Sequence, residues 1–385
     1  MTKRFAFLLI GLLFTAFMVA SSHDDGEGTT SKTFDVSPGG TLDISVDGGD
    51  IHITPVEKNR VTVRAIGIDE DEADDLHMTT EGTTVRIEKY SGDWDNNTRY
   101  DIDVPSKFNL RMRTRDGNIT VDGTITGEVS CQTSSGDIRL SVVNGKVDAT
   151  TSGGNITTRD VQGDLDVRTS GGDIMLGSIG GSADISTSGG NIRMDNVKKT
   201  LMAKTSGGDV IVGDVGGEAT ISTSGGNITV GRVSASVRMS TAGGDVELEG
   251  ASGDVRAKTA GGNMRLLGIT GTIDARTAGG DIDAELMPSG KGESRISTAS
   301  GQIRLDIPEN AKATIHAEIR IDGYWRELHD EYRVRSDFAS QSYDVDKNDR
   351  EIRATYVLNG GGDVITLETS NADIIISKMA KHSEK

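Results

Sequence analysis

A glycine returns at nearly constant intervals through the middle of the chain. It precedes an Asp or Asn in the phrase Thr-Ser/Ala-Gly-Gly-Asp/Asn-Ile/Val, with eight steps of 18 residues and one of 19 between positions 117 and 280, and a later copy at Gly301. A short fixed period without a helical pattern is typical of a coiled β architecture in which each repeat is one rung. The sequence therefore predicts an all-β fold, a parallel β-solenoid with an 18-residue rung.

The residues within one period show how a rung is built. Leu165 and Val167 alternate with Asp166 and Arg168, which is the period of a half-buried strand. The paired glycines then turn the chain, and we expect them to adopt positive φ. A second alternating strand follows the turn. Because crossovers between parallel strands are generally right-handed, we favour a right-handed solenoid.

Apolar positions align between successive rungs into four columns. At steps of 18 residues the columns run from Val129 to Ile273, from Cys131 to Ala275, from Ile138 to Ile282 and from Val143 to Met287. Cys131 is the only cysteine, so an intramolecular disulfide is impossible, and its place in a column predicts a small buried hydrophobe. The columns predict a continuous aliphatic core.

Two polar columns flank the turn. A threonine column runs from Thr133 to Thr277 and predicts a ladder of hydroxyl groups. The residue after the glycines alternates between Asn and Asp from Asn118 to Asp281. Adjacent aspartates would cost about 1 kcal/mol per pair even in water, whereas an intervening Asn amide can donate to the carboxylates. We therefore interpret both columns as structural.

The two ends of the sequence predict that the protein is exported and that a cap covers each end of the solenoid. A basic start precedes the mostly apolar stretch from Phe5 to Ala20, which is typical of a secretory signal, with an uncleaved membrane anchor as the alternative. Caps are expected because a solenoid exposes strand edges at both ends. The predicted organisation is a signal peptide at 1–22, a linker at 23–30, an irregular N-terminal β cap at 31–107, about ten to eleven rungs at 108–306, a C-terminal β cap at 307–378 and a polar tail at 379–385.

The C-terminal cap contains most aromatic residues of the mature chain. These are Tyr324, Trp325, Tyr332, Phe338, Tyr343 and Tyr356. We expect them to close the end of the core. The alternative is a partner-binding patch, with Tyr324, Trp325 and Tyr332 as the contact residues, because exposed Tyr and Trp are enriched at interfaces.

Composition argues against several classes of function. The net charge of −18 is unsuited to nucleic-acid binding, which needs clustered Lys and Arg. The rungs contain no aromatic platform, no nucleophile elbow and no zinc-ligand spacing. We therefore predict a non-enzymatic protein without a cofactor. A β-helix carbohydrate-active enzyme remains an alternative because the scaffold permits it.

One acidic cluster is a candidate cation site. Asp148, Asp166 and Asp184 are predicted to point outward on three consecutive rungs, and three such carboxylates can hold Ca²⁺. Arg168 lies on the same face, so a solvated, partly neutralised surface is the alternative reading. A second outward group, Met175, Met202 and Ile211, is either a small contact patch or scattered apolar residues.

Several motifs resemble the bacterial "putative adhesin" family of repeated β-strand proteins. They are FDVSPGG at residues 34–40, DIDVP at 101–105, the repeated glycine phrase and NADIII at 371–376, so that the resemblance covers nearly all of residues 31–378. It implies a repeated β fold, an envelope or extracellular location and an adhesive or envelope-stress role. It supplies no catalytic residues.

These observations give two principal functional hypotheses. The first is a non-catalytic, exported, adhesin-like scaffold in the periplasm, on the cell surface or outside the cell, which binds an envelope protein or a surface glycan. The second is an envelope-stress or assembly factor that docks a membrane protein through its C-terminal segment. In neither case does the mature chain contain a predicted membrane span.

Overall fold

The computed structural model describes residues 28–68, 74–90, 98–290, 292–321, 332–346, 348 and 350–379. The regular secondary structure of these residues consists only of strands. Their bounds are β1 (Thr29–Asp35), β2 (Thr41–Val46), β3 (Asp50–Val56), β4 (Arg60–Ile66), β5 (Leu76–Glu81), β6 (Thr84–Lys89), β7 (Arg99–Pro105), β8 (Asn109–Arg113), β9 (Ile119–Ile125), β10 (Val129–Gln132), β11 (Ile138–Val143), β12 (Val147–Thr150), β13 (Ile156–Val161), β14 (Leu165–Arg168), β15 (Ile174–Leu176), β16 (Ala183–Ser186), β17 (Ile192–Met194), β18 (Leu201–Lys204), β19 (Val210–Val212), β20 (Ala219–Ser222), β21 (Ile228–Val233), β22 (Val237–Ser240), β23 (Val246–Ala251), β24 (Val255–Lys258), β25 (Met264–Ile269), β26 (Ile273–Thr277), β27 (Ile282–Leu286), β28 (Glu293–Thr298), β29 (Ile303–Ile307), β30 (Ala313–Arg320), β31 (Val334–Ser336), β32 (Ser342–Asp346), β33 (Glu351–Leu358), β34 (Asp363–Ser370) and β35 (Ile374–Lys378).

The described strands form two long sheets. In order of pairing, sheet A contains 17 strands, β1-β4-β7-β3-β9-β11-β13-β15-β17-β19-β21-β23-β25-β27-β29-β35-β31. Sheet B contains the other strands, in the order β5-β6-β2-β8-β10-β12-β14-β16-β18-β20-β22-β24-β26-β28-β34-β30-β33-β32. Each central rung gives one short strand to each sheet.

The register repeats the sequence period. Val147 pairs with Leu165 in sheet B, and Ile156 pairs with Ile174 in sheet A, both in parallel. A third side of the rung is closed by parallel bridges that link Val161, Ile179, Val197, Val215 and Val233. The predicted all-β solenoid with an 18-residue rung is thus confirmed, while its handedness stays a prediction.

The core consists of the predicted apolar columns, with one error. Members of all four columns are buried, and Cys131 is 1% exposed. Met287 was expected to close the last rung, but this position is wrong because the register shifts and Ile269 pairs with Leu286. A further inward column, from Leu140 to Ala284, was not predicted as a column; it contains one polar member, Thr158.

Two steps between repeats are longer than 18 residues, and a local irregularity accommodates each of them. The single step of 19 residues coincides with a register shift between β9 and β11, where Gly123 has a φ of 73°. The later, longer step lies in the loop between β27 and β28. Both Asp363 carboxylate oxygens accept backbone N–H groups of this loop, from Gly290 and Gly292. The last rung in sequence therefore holds the loop in place.

The two ends are closed by inserted rungs. At the N-terminal end β2 lies between β6 and β8, and β3 lies between β7 and β9. At the C-terminal end β34 lies between β28 and β30, and β35 lies between β29 and β31. The first and the last rung in sequence are therefore hydrogen-bonded on both sides. The caps were expected to be irregular, but these strands continue both sheets in register; the cap boundaries stay predictions.

Aromatic side chains are buried near both ends of the described stack. Phe34, Tyr100 and Phe108 are all buried near the first rungs. In the C-terminal cap Tyr356 is buried, Tyr332 and Phe338 pack partly buried against the core, and Tyr343 is 46% exposed. Tyr324 and Trp325 lie outside the described residues. The expected aromatic closure at the C-terminal end is thus seen for Tyr356 and in part for Tyr332 and Phe338.

The repeating glycine is required by stacking and not by its φ angle. Gly172 is not among the residues with positive φ, which corrects the expectation from the sequence. A Cβ on Gly172 would overlap the carbonyl oxygen of Gly154, one rung earlier. The preceding Gly171 has room, because its Cβ would lie 3.5 Å from the Gly153 carbonyl oxygen. Only the second glycine of the phrase is therefore sterically obligatory.

The threonine column joins the glycine turns of neighbouring rungs. Thr169 Oγ1 donates to the Gly154 carbonyl oxygen over 2.9 Å and accepts the Gly172 N–H over 3.3 Å. The same two bonds recur at Thr187 and Thr205. The hydroxyls thus bond to backbone and not to one another, which corrects the predicted hydroxyl ladder.

The Asn/Asp column also bonds from rung to rung. Asp173 donates its backbone N–H to Asn155 Oδ1 over 2.8 Å, and Asn155 donates its own to Asp137 Oδ1 over 2.8 Å. The Asn155 amide Nδ2 is also 3.3 Å from Asp137 Oδ1. The predicted donation from amide to carboxylate is confirmed here. The backbone bonds explain why every member needs a short side chain with an oxygen acceptor.

The stacking constraint predicts opposite tolerance of two adjacent glycines. Gly172→Ala should lower the free energy of unfolding by about 1–3 kcal/mol, because the new methyl overpacks against a backbone carbonyl. Gly171→Ala is the matched control and should change it by less than about 0.5 kcal/mol. Chemical denaturation of both variants measures the difference. Equal stability of the two would contradict the stacking account.

The isolated hydroxyl of Thr158 predicts a stabilising substitution. Thr158 is 4% exposed, and no partner for its Oγ1 is present among the described residues. Thr158→Val should raise the free energy of unfolding by about 1 kcal/mol, since burying an unbonded hydroxyl is costly. Thr169→Val is the control, in which the same change removes two hydrogen bonds and should destabilise the fold. The cost assigned to the unbonded Thr158 hydroxyl would be contradicted if both variants shifted the melting temperature in the same direction.

The alternation of charge predicts a pH-dependent cost. Asn191→Asp would place a third carboxylate between Asp173 and Asp209 and should cost about 1 kcal/mol at neutral pH. Mutual repulsion raises the pKa of the new carboxyl in the folded state, so the cost should fade as the pH drops below about 4. Asp209→Asn is the control, which keeps an acceptor oxygen and should be nearly neutral. A cost for Asn191→Asp that does not change with pH would contradict repulsion as the cause.

Candidate functional site

One depression on the described surface lies on the outer face of sheet B. It has a volume of about 490 Å³ and is open to solvent. Its lining includes Asp166, Asp184, Met202 and Thr220, which are outward side chains of β14, β16, β18 and β20. Lys146, Ser182, Thr200 and Glu218 also line it. We call this depression the sheet B groove.

A second depression continues the groove toward the N-terminal end. It has a volume of about 230 Å³ and is lined by Arg111, Glu128, Ser130 and Asp148 among others. Lys146 lines both depressions, so the two are adjacent. Together they form a polar concave strip that crosses several rungs. The paired strands fix the spacing of the side chains along it.

The candidate cation cluster lies in this strip, and the guanidinium group of Arg168 already lies beside two of its carboxylates. Asp148, Asp166 and Asp184 occupy equivalent positions on consecutive strands, as predicted. Arg168 Nη1 lies 2.6 Å from Asp166 Oδ1, and Arg168 Nη2 lies 3.6 Å from Asp184 Oδ2. The described residues contain no group of three or more His, Cys, Asp or Glu side chains placed to hold a metal ion. Calcium binding stays a prediction and would require Arg168 to swing away.

The outer face of sheet B changes its charge along the stack. Acidic side chains are concentrated on β12, β14 and β16, whereas Lys204 begins a stretch that carries Arg238, Arg256 and Lys258. Arg256 Nε lies 3.4 Å from Asp274 Oδ2, which neutralises part of the basic stretch. A long charged ligand that extended beyond the groove along this face would therefore meet opposite potentials at its two ends.

A cluster of charged side chains surrounds His52 at the N-terminal end, and it was not predicted from the sequence. His52 Nε2 lies 2.7 Å from Asp122 Oδ2, and His52 Nδ1 lies 3.3 Å from Asp101 Oδ1. Arg99 Nε also donates to Asp101 Oδ1, over 2.7 Å. The side chains come from β3, β7 and β9, so the cluster ties the inserted first rung to both neighbours. Its partners are 49 and 70 residues apart from His52, and no short-range signal could have found them.

The exposed apolar side chains do not form one patch. Met175 and Ile211 lie on sheet A with Arg193 between them, whereas Met202 lies in the sheet B groove. Of the two interpretations of these three residues, the contact patch is therefore wrong, and the structure agrees with scattered apolar residues. Four of the eight exposed large apolar residues in the described ranges lie near the C-terminal end: Tyr343, Val345, Val357 and Val364.

Other candidate residues have structural surroundings. Burial, with a smaller contribution from Asp148, raises the pKa of the Cys131 thiol, so this cysteine is not a reactive thiolate. Of the partner-binding candidates, Tyr332 is half-buried against the core, and Tyr324 and Trp325 lie outside the described residues. Among the residues that the structure describes, none forms a helix long and apolar enough to cross a membrane.

Comparison with known proteins gives distant structural neighbours. No curated protein matches the chain. A "putative adhesin" from Bacteroides fragilis is 14% identical, with 67% of this chain and 98% of that chain covered and a TM-score of 0.28. A "putative adhesin" from Parabacteroides distasonis is 14% identical, with 67% and 97% covered and a TM-score of 0.33. A "putative lipid binding protein" from the same species is 17% identical, with 74% and 94% covered and a TM-score of 0.25.

A family model gives the decisive match. Two of the neighbours above carry the name of the family that the sequence motifs resemble. The model, described as Toastrack DUF4097, matches residues 40–213 and 198–323 and so covers well over half of the chain. The chain therefore belongs to the Toastrack DUF4097 family.

Proposed function

We propose that this protein is an exported, non-catalytic, adhesin-like rod that binds an envelope protein or a surface glycan along the outer face of sheet B. The observation that carries the proposal is the sheet B groove, an open depression of about 490 Å³ whose lining includes many charged and hydroxyl side chains. Polymeric ligands with repeated polar groups suit a surface whose side chains recur at about 4.8 Å, the spacing of paired strands.

The rigidity of the stack favours binding through preorganised side chains. Outward groups in the groove stand on strands that pair on both sides, as β16 does with β14 and β18. Side chains held in this way lose little conformational freedom when a ligand binds. A long rod with a fixed face is therefore better suited to recognition than to a reaction that needs a closing site.

The chemistry of the groove also favours a non-catalytic role. Two of its carboxylates, Asp166 and Asp184, lie close to the Arg168 guanidinium and are engaged in ion pairs with it. The only cysteine is buried in the core. Export is supported by the basic and apolar start of the sequence, from Met1 to Ala20.

A second candidate function rests on the C-terminal end. Tyr343 and Val345 are 46% and 38% exposed on β32, the last strand of sheet B. An edge strand with exposed apolar side chains is a natural docking position for another polypeptide. This favours an assembly or envelope-stress factor that docks a membrane protein through its C-terminal segment.

Matched threonine substitutions distinguish the two candidates. Thr220→Glu introduces a bulky anion into the groove, whereas Thr229→Glu makes the same change at an outward position of β21 in sheet A. We expect Thr220→Glu to weaken binding of the labelled protein to bacterial cells by at least about tenfold, a loss of about 1.4 kcal/mol in binding free energy, because the larger charged side chain obstructs the groove. Thr229→Glu and Tyr343→Ser should bind like the unmodified protein.

The alternatives give different results in the same assay. Loss of binding in Tyr343→Ser with full binding in Thr220→Glu would favour docking through the C-terminal end. Turnover of any member of a panel of acidic polysaccharides by the purified protein would contradict the non-catalytic role. Circular dichroism melts of each variant confirm that the fold is retained.

A further inference from the structure

The outward side chains at the second position of each sheet B strand form one column along the stack. We call it the central column, and from the N-terminal side it reads Ser130, Asp148, Asp166, Asp184, Met202, Thr220, Arg238, Arg256 and Asp274. Three acidic residues precede Met202, and two basic residues follow the next position. Met202 is 54% exposed and stands between the two charged stretches.

This order is self-complementary when the stack is reversed about Met202. A copy rotated by two-fold symmetry, with its rungs in the opposite order, places Asp166 opposite Arg238 and Asp148 opposite Arg256. In the neighbouring outward column the same rotation places Lys146 opposite Asp254. Each pair occurs twice because the interface is isologous. With the rungs in the same order, every side chain of the central column would face its own counterpart, and like charges would meet along that column.

The cations on this face are available for partners from another molecule. Arg238 and Lys258 are exposed, and the structure shows no ion pair for either of them within the described ranges. Met202 supplies an apolar contact at the two-fold axis, with the charged pairs around it. An apolar centre with a polar rim is the usual anatomy of a protein interface.

We propose that the partner bound by the outer face of sheet B is a second copy of this chain, in antiparallel stack order about Met202. This rests on the proposed function, because it uses the same face as the binding surface and names its partner. The arrangement directs equivalent ends of the two rods away from each other. It is therefore the geometry expected when two copies bridge facing surfaces.

The interface is expected to be weak and sensitive to salt. Three outward columns over nine rungs correspond to roughly 500 Å² on each copy, at the low end of specific interfaces. Lys204 meets its own counterpart at the axis, which adds a repulsion. The remaining charge pairs are exposed, so added salt should screen them. Association should therefore rise with protein concentration and fall as salt is added.

Charge exchange between two variants tests the pairing directly. We expect the unmodified full chain to dimerise in sedimentation velocity at low salt, and Asp166→Arg or Arg238→Asp alone to weaken association at least tenfold. In an equimolar mixture of these two variants every exchanged charge meets its opposite, so dimers should return. Arg193→Asp on the outer face of sheet A is the control and should dimerise normally.

Two results would overturn the proposal. The first is that the unmodified chain stays monomeric at all concentrations. The second is that the mixture of the two variants fails to associate although thermal melts show that both are folded. If either is found while Thr220→Glu still loses cell binding, the groove binds a different partner and the proposed function stands. If dimers form as expected but no cell binding is seen, the adhesive role fails and self-association remains.

Discussion

The structure depends on the contact between a glycine and the carbonyl group of the rung before it. Gly172 packs so closely over the Gly154 carbonyl that no Cβ fits between them. Thr169 bonds to both glycines, and the Asn/Asp column adds a backbone hydrogen bond at every step. This corner fixes the register of one rung on the next. The apolar columns and the outward side chains then repeat at constant spacing, and the sheet B groove is a consequence of that order.

Most of the central fold could be predicted from the sequence because every rung uses the same local rules. The 18-residue repeat indicates the alternation around Leu165 and Val167, the burial of Cys131 and the amide-to-carboxylate contact of Asn155 with Asp137. The errors have physical causes. Met287 was displaced by a shifted register, and the glycines proved to be required by close stacking and not by positive φ.

The ends and the site were harder to predict because they depend on contacts between distant residues. His52 meets Asp122 across 70 residues, and Gly301 accepts a hydrogen bond from Thr369 across 68 residues. Such pairings arise because the first and last rungs are inserted between others, which no periodic pattern reveals. The outward position of Asp148, Asp166 and Asp184 was predicted, but the insertion of Arg168 Nη2 toward Asp184 depends on the neighbouring rung.

The central claim is that rungs paired on both sides, including the inserted terminal ones, form one rigid stack that holds the binding face in register. Amide hydrogen exchange, followed by mass spectrometry over the full chain, tests this most directly. The account predicts slow exchange in β2 and β3 and in β34 and β35, comparable with that of the central rungs, because each has partners on both sides. Rapid exchange in the inserted rungs, or in the rungs beneath the groove, would contradict it.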